Sequence, residues 1–235
     1  MRLSLAALTV SAVVGLAPAQ AAIYEVDGRT GFAAPFGFDF SAFGNPGAFV
    51  STQDTRTVNG VTITARTSGG TFNLAREGSG YTGNFATGTT LLTQPRLSDN
   101  FILSFSGMPV YGVGTQFEPF SSSFMGSYTA ILEVFDTAGT KIADFTRQGT
   151  KTTAEDGSVP FLGALSTDVP IGTIILSVGT LRAPFFQAGD VAADGLTLST
   201  IRVDVPEPAS LALLVLPMSL VGLVAIQRRR EGDVA

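Results

Sequence analysis

The chain has 235 residues, a formal net charge of −5, and neither histidine nor cysteine. Without histidine, Ser-His-Asp and Cys-His catalysis and His-ligated metals are excluded, and without cysteine, disulfides and Cys-based zinc sites are excluded. Residues 22–204 hold 16 acidic and 10 basic side chains, a net charge of about −6. We therefore predict no binding to nucleic acid, which requires a basic surface.

Residues 1–21 have the order of a secretory signal peptide. Arg2 precedes an apolar run over residues 3–16, and small residues that include Ala19 and Ala21 follow. The run is shorter than the roughly 20 residues that a helix needs to cross a hydrocarbon core. We therefore expect signal peptidase to cleave after Ala21 and the secretion machinery to export the remainder.

Residues 22–204 are predicted to form one all-β ectodomain. Short runs rich in Val, Ile, Thr and Phe recur between Gly, Asn, Asp and Pro, and no long segment shows a helical period. We expect about ten strands without helical crossovers, a spacing that favours a two-layer antiparallel β-sandwich. Among such sandwiches, we predict a jelly-roll-like arrangement.

Two tight turns are the clearest local signals in this region. Asn59 and Gly60 both accept positive φ, and an alternating run follows them, as is typical of a β-hairpin. In the second turn, Asp136 can accept hydrogen bonds from the turn amides and Gly139 can adopt the left-handed conformation. Each turn therefore predicts a hairpin between the strands on its two sides.

A group of phenylalanines lies near the start of the ectodomain. Its members are Phe32, Phe36, Phe38, Phe40, Phe43 and Phe49. Phe36, Phe38 and Phe40 alternate at strand period, so an exposed row could stack on sugar rings. Phenylalanine lacks the polar group that Tyr and Trp bring to sugar sites, and such a row usually faces the core. We predict a core position and keep the sugar platform as the alternative.

Loop carboxylates are the candidates for a structural calcium ion, a cation that takes six to eight oxygen ligands. These are Asp168, Asp190 and Asp194. No Asp-x-Asp-x-Asp-Gly run is present, so solvated loops and turn caps are the competing interpretation. Paired carboxylates could also serve a glycoside hydrolase, but composition alone implies no pair. We expect no enzyme, no catalytic residue and no cofactor beyond such a calcium ion.

A second apolar segment, residues 209–226, is uncharged and would extend about 27 Å as a helix. This length is just enough to span a membrane once. Arg228, Arg229 and Arg230 follow, and the positive-inside rule places them in the cytoplasm together with residues 231–235. The ectodomain then lies outside the inner membrane.

Pro206, Glu207 and Pro208 stand directly before this helix, in an extended stretch that begins at residue 205. The motif over 205–208, the helix and the arginine cluster together resemble the PEP-CTERM sorting signal, over residues 205–230. The resemblance implies processing by an exosortase, a membrane-embedded cysteine transpeptidase of Gram-negative bacteria that produce exopolysaccharide. The chain would then pass through the inner membrane as a transient single-pass protein and reach the cell surface or extracellular matrix.

These signals lead to one function hypothesis and two alternatives. The first is an exported, non-catalytic cell-envelope or extracellular-matrix protein associated with exopolysaccharide. The alternatives are a carbohydrate-binding module with a specific glycan and, less favoured, a carboxylate-based glycoside hydrolase. The end of the ectodomain, residues 161–198, also loosely resembles the lectin-like ectodomains common in PEP-CTERM proteins.

Overall fold

The structure is a computed structural model that describes residues 22–47, 52–94, 100–121, 124–182, 185–189 and 191–203. Within these ranges the chain forms sixteen β-strands and two short 3-10 helices, Arg29–Gly31 and Phe40–Phe43. The all-β prediction is confirmed. The strands are more numerous than the expected ten because short strands of two to four residues add to the longer ones.

The strands are β1 Ile23–Val26, β2 Phe36–Phe38, β3 Gln53–Val58, β4 Val61–Thr67, β5 Asn73–Glu77, β6 Gly80–Tyr81, β7 Thr90–Gln94, β8 Phe101–Gly107, β9 Gly112–Pro119, β10 Gly126–Asp136, β11 Lys141–Lys151, β12 Phe161–Ser166, β13 Ile171–Arg182, β14 Phe185–Gly189, β15 Val191–Ala193 and β16 Leu196–Ser199. They form two sheets. The first has the order β1-β12-β9-β15-β7-β5-β6, with β16 beside β9 and β2 beside β16. The second has the order β11-β10-β13-β8-β4-β3, with β14 beside β13. All pairs in both sheets are antiparallel except the short β5·β6 pair.

One hydrophobic core joins the two sheets as a β-sandwich. Phe117 and Leu162 of the first sheet belong to the same buried cluster as Ile63, Leu103 and Leu132 of the second. All five side chains are fully buried. The apolar residues of β4 alternate with threonines, so that one side of the strand enters the core and the other does not.

Both predicted hairpin turns are confirmed. Asn59 and Gly60 connect β3 to β4 with φ of 46° and 78°, as a turn with two left-handed residues requires. Between β10 and β11, the Asp136 carboxylate accepts hydrogen bonds from the amides of Ala138 and Thr140, both at 2.8 Å, and Gly139 has φ of 82°. Local turn chemistry therefore sets the register of both hairpins.

Most of the phenylalanine group is buried, as predicted. Phe38, Phe40 and Phe43 belong to the shared core with Phe36 half-buried against them, and Phe32 is buried in a separate cluster. Phe49 lies outside the described residues. The strand ends at Phe38, and Phe40 begins a 3-10 helix after the Asp39 carboxylate accepts a hydrogen bond from the Ser41 amide. Phe36 and Phe38 therefore lie in a strand and Phe40 lies in a 3-10 helix, whereas their spacing predicted a single alternating strand.

The two sheets differ on the sides that face away from the shared core. The outer side of the second sheet is open, because residues of β4 and β8 alternate between buried and half-buried or exposed. The outer side of the first sheet is covered, because almost every residue of β9, β12, β15 and β16 is buried. Two small apolar clusters lie on this outer side of the first sheet. Their members are Ala75, Tyr81, Phe85, Leu91, Val159 and Ala192 in one, and Val26, Phe32 and Phe161 in the other.

The predicted segments at the two ends lie outside the described residues. These are the signal peptide with Ala19 and Ala21, the motif of Pro206, Glu207 and Pro208, the apolar segment 209–226, and the cluster of Arg228, Arg229 and Arg230. In the part of the chain that the structure describes, no helix has the length and apolar character needed to cross a membrane.

Candidate functional site

Two of the three predicted calcium ligands, Asp168 and Asp194, accept a hydrogen bond from an arginine. Arg29 Nη2 donates to Asp194 Oδ2 at 2.8 Å, and Arg202 Nη2 donates to Asp168 Oδ1 at 2.5 Å. Asp190 lies outside the described residues. Burial raises the pKa of Asp194, although the Gly195 amide and Arg29 act in the opposite direction.

Asp168 and Asp194 stand at different places in the fold and have different partners. Asp168 follows β12, whereas Asp194 stands between β15 and β16, in a pocket of about 290 Å³ that Arg29 and Asp39 also line. Over the described ranges, no three acidic side chains are grouped so that they could hold a metal ion. In each of the two carboxylates, one oxygen accepts a hydrogen bond from a guanidinium group.

A buried polar network lies under the cover of the first sheet. Its members are Glu77 and Glu118 of the first sheet, Tyr81, and Lys151, the last residue of β11 in the second sheet; their exposed fractions are 1 %, 0 %, 5 % and 1 %. Glu118 pairs across the sheet with Ala192 and therefore points away from the shared core. Charged residues at such depth require partners from the protein.

Hydrogen bonds connect Lys151, Tyr81 and Glu118 in series. Lys151 Nζ donates to Tyr81 Oη at 2.8 Å and to the Pro119 carbonyl at 2.6 Å. The Tyr81 hydroxyl in turn donates to Glu118 Oε1 at 2.8 Å. The tyrosine therefore links a buried ammonium to a buried carboxylate and connects an edge of the second sheet to the first.

Two consecutive backbone amides bind the two carboxylates. The Gly83 amide donates to Glu77 Oε1 at 2.8 Å, and the Asn84 amide donates to Glu118 Oε1 at 3.0 Å. The Oε2 atom of each glutamate is buried without a hydrogen-bond partner. Burial raises the pKa of both carboxyls, and the charge of Glu118 raises that of Glu77 further.

The network fastens two loops over the sheet, which we call the cover loops, residues 82–89 and 152–160. The Asn84 side chain donates to the hydroxyls of Thr152 and Ser158, at 2.8 and 2.9 Å, and so joins one loop to the other. The Glu155 amide donates to the Gly83 carbonyl at 3.0 Å. With its acidic and basic groups shielded from solvent, the arrangement is suited to holding the cover in place.

This network is not recognisable from the sequence. Glu77, Glu118 and Lys151 lie far apart in the chain and have no motif in common. A weak signal was available, because Glu118 is the one charged residue of the strand Gly112–Pro119. Only the strand order and register bring these side chains together.

The open outer side of the second sheet carries an array of hydroxyl groups, which we call the hydroxyl face. Its members are Thr55, Thr57, Thr62, Thr64, Ser104, Ser106 and Thr173. The strand register places them in two rows. One row joins Thr57, Thr62 and Ser106, and the other joins Thr55, Thr64, Ser104 and Thr173. Neighbouring positions within a row are about 4.8 Å apart, and the two rows are about 6.8 Å apart along the strands.

Neighbouring hydroxyls of the face form hydrogen bonds with one another. Thr57 Oγ1 and Thr62 Oγ1 are 2.9 Å apart, and Thr55 Oγ1 and Thr64 Oγ1 are 3.2 Å apart. The Ser104 hydroxyl lies 3.1 Å from that of Thr173. Each pair uses one of its two O–H groups in this bond, so a donor and several acceptor positions remain for other partners.

The fold and both surfaces define an all-β sandwich protein, and comparisons with known proteins add little to that class. No family model and no curated protein matches the chain. Among solved structures, the chain is similar to a DUF4465 family protein from Bacteroides caccae, at 15% identity over 75% of this chain and 99% of that chain, with a TM-score of 0.42. It is also similar to the enzymatically active domain of tailspike protein 4 of bacteriophage CBA120, at 11% identity over 61% of this chain and 20% of that chain, with a TM-score of 0.26. At these scores, neither neighbour bears on function.

Proposed function

We propose that this chain is an exported, non-catalytic protein of the cell envelope or extracellular matrix, sorted by an exosortase and associated with exopolysaccharide. Residues 205–230, which we call the sorting tail, carry the proposal. They combine Pro206, Glu207 and Pro208 with an uncharged segment of helical spanning length and an arginine cluster. In this proposal the ectodomain is a jelly-roll-like sandwich, made as a precursor with a cleaved signal peptide and a transient membrane helix.

The place where the chain leaves the sandwich supports this arrangement. The last strand ends at Ser199, and Arg202 is held by hydrogen bonds to the Thr167 carbonyl and the Asp168 carboxylate. Only three residues separate Arg202 from Pro206. At about 3.3 Å per extended residue, the motif would stand within about 15 Å of the folded domain. A short tether of this kind would present the motif at the membrane, close to an embedded peptidase.

The absence of catalysis is also part of the proposal. Of the acidic side chains that the sequence singled out, Asp168 and Asp194 form ion pairs with arginines. The paired carboxylates that the structure brings together, Glu77 and Glu118, are almost completely buried. A hydrolytic pair must contact its substrate, and neither of these arrangements offers an exposed pair.

Intact-mass measurement of the protein extracted from the cell surface tests the sorting proposal. We expect a mature chain that begins at residue 22 and ends within or near residues 206–208. Replacing Pro206, Glu207 and Pro208 together by Ala should leave full-length precursor in the inner membrane, whereas Ser210→Ala should be processed normally. Surface protein that retains the intact tail in wild-type cells would contradict the proposal.

A further inference from the structure

We propose that the hydroxyl face is the surface through which this protein binds polysaccharide, and that its ligand is an uncharged polysaccharide in an extended conformation. The inference deepens the proposed function, on which it rests for the presence of polysaccharide around the mature protein. It assigns a place on the fold and a ligand chemistry to that association.

Availability is the first argument, because the two outer sides of the sandwich are not equivalent. The outer side of the first sheet is closed by the cover loops and by buried aromatic residues such as Tyr81 and Phe85. The outer side of the second sheet is solvent-accessible across six adjacent strands, about 24 Å. A long polymer needs an open surface of this kind, since it cannot enter an enclosed pocket.

The charge of the hydroxyl face is the second argument. The charged side chains on this side of the described strands are Arg66, Glu133, Lys141 and Asp144, two of each sign. Lys141 forms ion pairs with both Glu133 and Asp144, at 2.7 and 2.9 Å. The surface is therefore close to neutral, whereas residues 22–204 as a whole carry a net charge of about −6. An uncharged polymer meets no electrostatic penalty here, and a polyanion would gain no attraction while the rest of the domain repelled it.

The pattern of polar and apolar atoms is the third argument. Each threonine presents a methyl group beside its hydroxyl, and the half-buried Ile102 and Ile175 lie on the same side of the sheet, next to the rows of hydroxyls. A pyranose ring likewise alternates C–H groups with hydroxyls that both donate and accept hydrogen bonds. The threonine side chains are restricted at χ1, so their hydroxyls lose little rotational freedom when they bind.

A protein partner fits this surface less well. Protein interfaces concentrate their binding energy in buried aromatic or large apolar anchors. The large apolar side chains that are exposed in the described residues are Tyr24, Met108, Met125 and Ile201, and none of them belongs to a central strand of this sheet. Repeated weak hydrogen bonds along a polymer do not need such an anchor, because many equivalent contacts add up.

Co-sedimentation of the full-length chain, in a nonionic detergent, with amorphous cellulose tests the inference. Cellulose serves as the uncharged extended probe, and calcium alginate beads serve as the anionic one. The decisive variant replaces Thr55, Thr57, Thr62 and Thr64 by Val, which keeps side-chain shape and β propensity and removes only the hydroxyls. The matched control replaces four exposed threonines outside the face, Thr30, Thr82, Thr137 and Thr153, by Val.

We expect the wild type and the control to bind cellulose equally and the face variant to lose at least tenfold in affinity, with an unchanged melting temperature. Absence of wild-type binding to cellulose, binding to alginate alone, or full binding by the face variant would each overturn the inference. The sorting measurement separates this result from the proposed function. A chain that is processed normally but ignores cellulose would refute only the surface assignment, whereas a cellulose-binding chain that is never processed would refute only the sorting.

Discussion

The outer sides of the two sheets differ in how they accommodate polar side chains. On the second sheet, the side away from the core carries threonines and serines and meets solvent directly. On the first sheet, the corresponding side carries Glu77 and Glu118, which are buried beneath two loops and partnered by Tyr81 and backbone amides. The second sheet therefore keeps an open surface, whereas the charged groups of the first sheet hold the cover loops in place.

The comparison shows that polar residues on a strand have two different roles. A hydroxyl on the open side costs little, because water or a neighbouring hydroxyl satisfies it. A buried carboxylate lowers the free energy of unfolding by several kcal/mol unless it accepts hydrogen bonds. Its stability therefore depends on the positions of its donors. We therefore expect substitutions that remove a hydrogen-bond partner from the network to affect stability strongly and substitutions on the hydroxyl face to affect it weakly.

Removal of the buried ammonium should have the largest effect. Lys151→Met keeps an unbranched apolar chain of similar length but removes the ammonium that donates to the Tyr81 hydroxyl and to the Pro119 carbonyl. Breaking a buried charged network in this way costs about 3–5 kcal/mol, and we expect that loss in the free energy of unfolding measured with urea. The control Lys141→Met, on the open side of the second sheet, should change little. Equal effects of the two variants would remove the distinction between the covered and the open side.

Steric replacement at the loop that binds both carboxylates should have the next largest effect. A Cβ atom at Gly83 would overlap the Glu118 Oε1 atom and approach the Tyr81 ring. Gly83→Ala should therefore displace the cover loop and destabilise the protein by about 1–3 kcal/mol. The matched control is Gly37→Ala, where a Cβ has open space. Thermal unfolding compares the two, and protection of the Asn84 amide from hydrogen exchange should fall only in the Gly83 variant. Unchanged protection there would mean that the glycine is not needed to seat the loop.

The open sheet was largely predictable from sequence, because its signals are local. Asn59 and Gly60 predict their turn by backbone preference alone, and Asp136 predicts the cap of the next hairpin. Thr62 and Thr64 alternate with residues that are fully buried, so one solvent-facing side could be inferred directly. Sheets with one open side leave this period in the sequence, whereas strands that are buried on both sides do not.

The covered sheet was not predictable, because its decisive contacts join distant parts of the chain. Tyr81 meets Glu118 across 37 positions and Lys151 across 70. Asp168 and Asp194 were chosen as calcium candidates from their loop positions, but their arginine partners lie 34 and 165 positions away. Neither composition nor periodicity contains such pairings, which depend on strand order.

The smallest effect should be a pH dependence of stability that arises from Glu77, on the covered side of the first sheet. Because burial and the neighbouring Glu118 raise the pKa of Glu77, with Glu155 adding to the effect, the folded chain holds this proton to a higher pH than the unfolded chain. The contribution of Glu77 to stability is complete below pH 4.5, the ordinary pKa of a glutamate side chain. It is lost as the pH rises through the raised pKa of the folded chain. Glu77→Gln keeps an acceptor for the Gly83 amide and cannot ionise. We expect it to match the wild type in acid and to exceed it, by less than about 1 kcal/mol, near neutral pH.

Urea titrations of both proteins between pH 4 and pH 8 measure this difference. Glu133→Gln, on the open side, is the control and should leave the slope of stability against pH close to that of the wild type. A Glu77→Gln protein that is less stable than the wild type at pH 8 would mean that the ionised carboxylate stabilises the cover. The buried pair would then act as an anchor that needs its negative charge, in contrast to the uncharged hydroxyls on the opposite side of the sandwich.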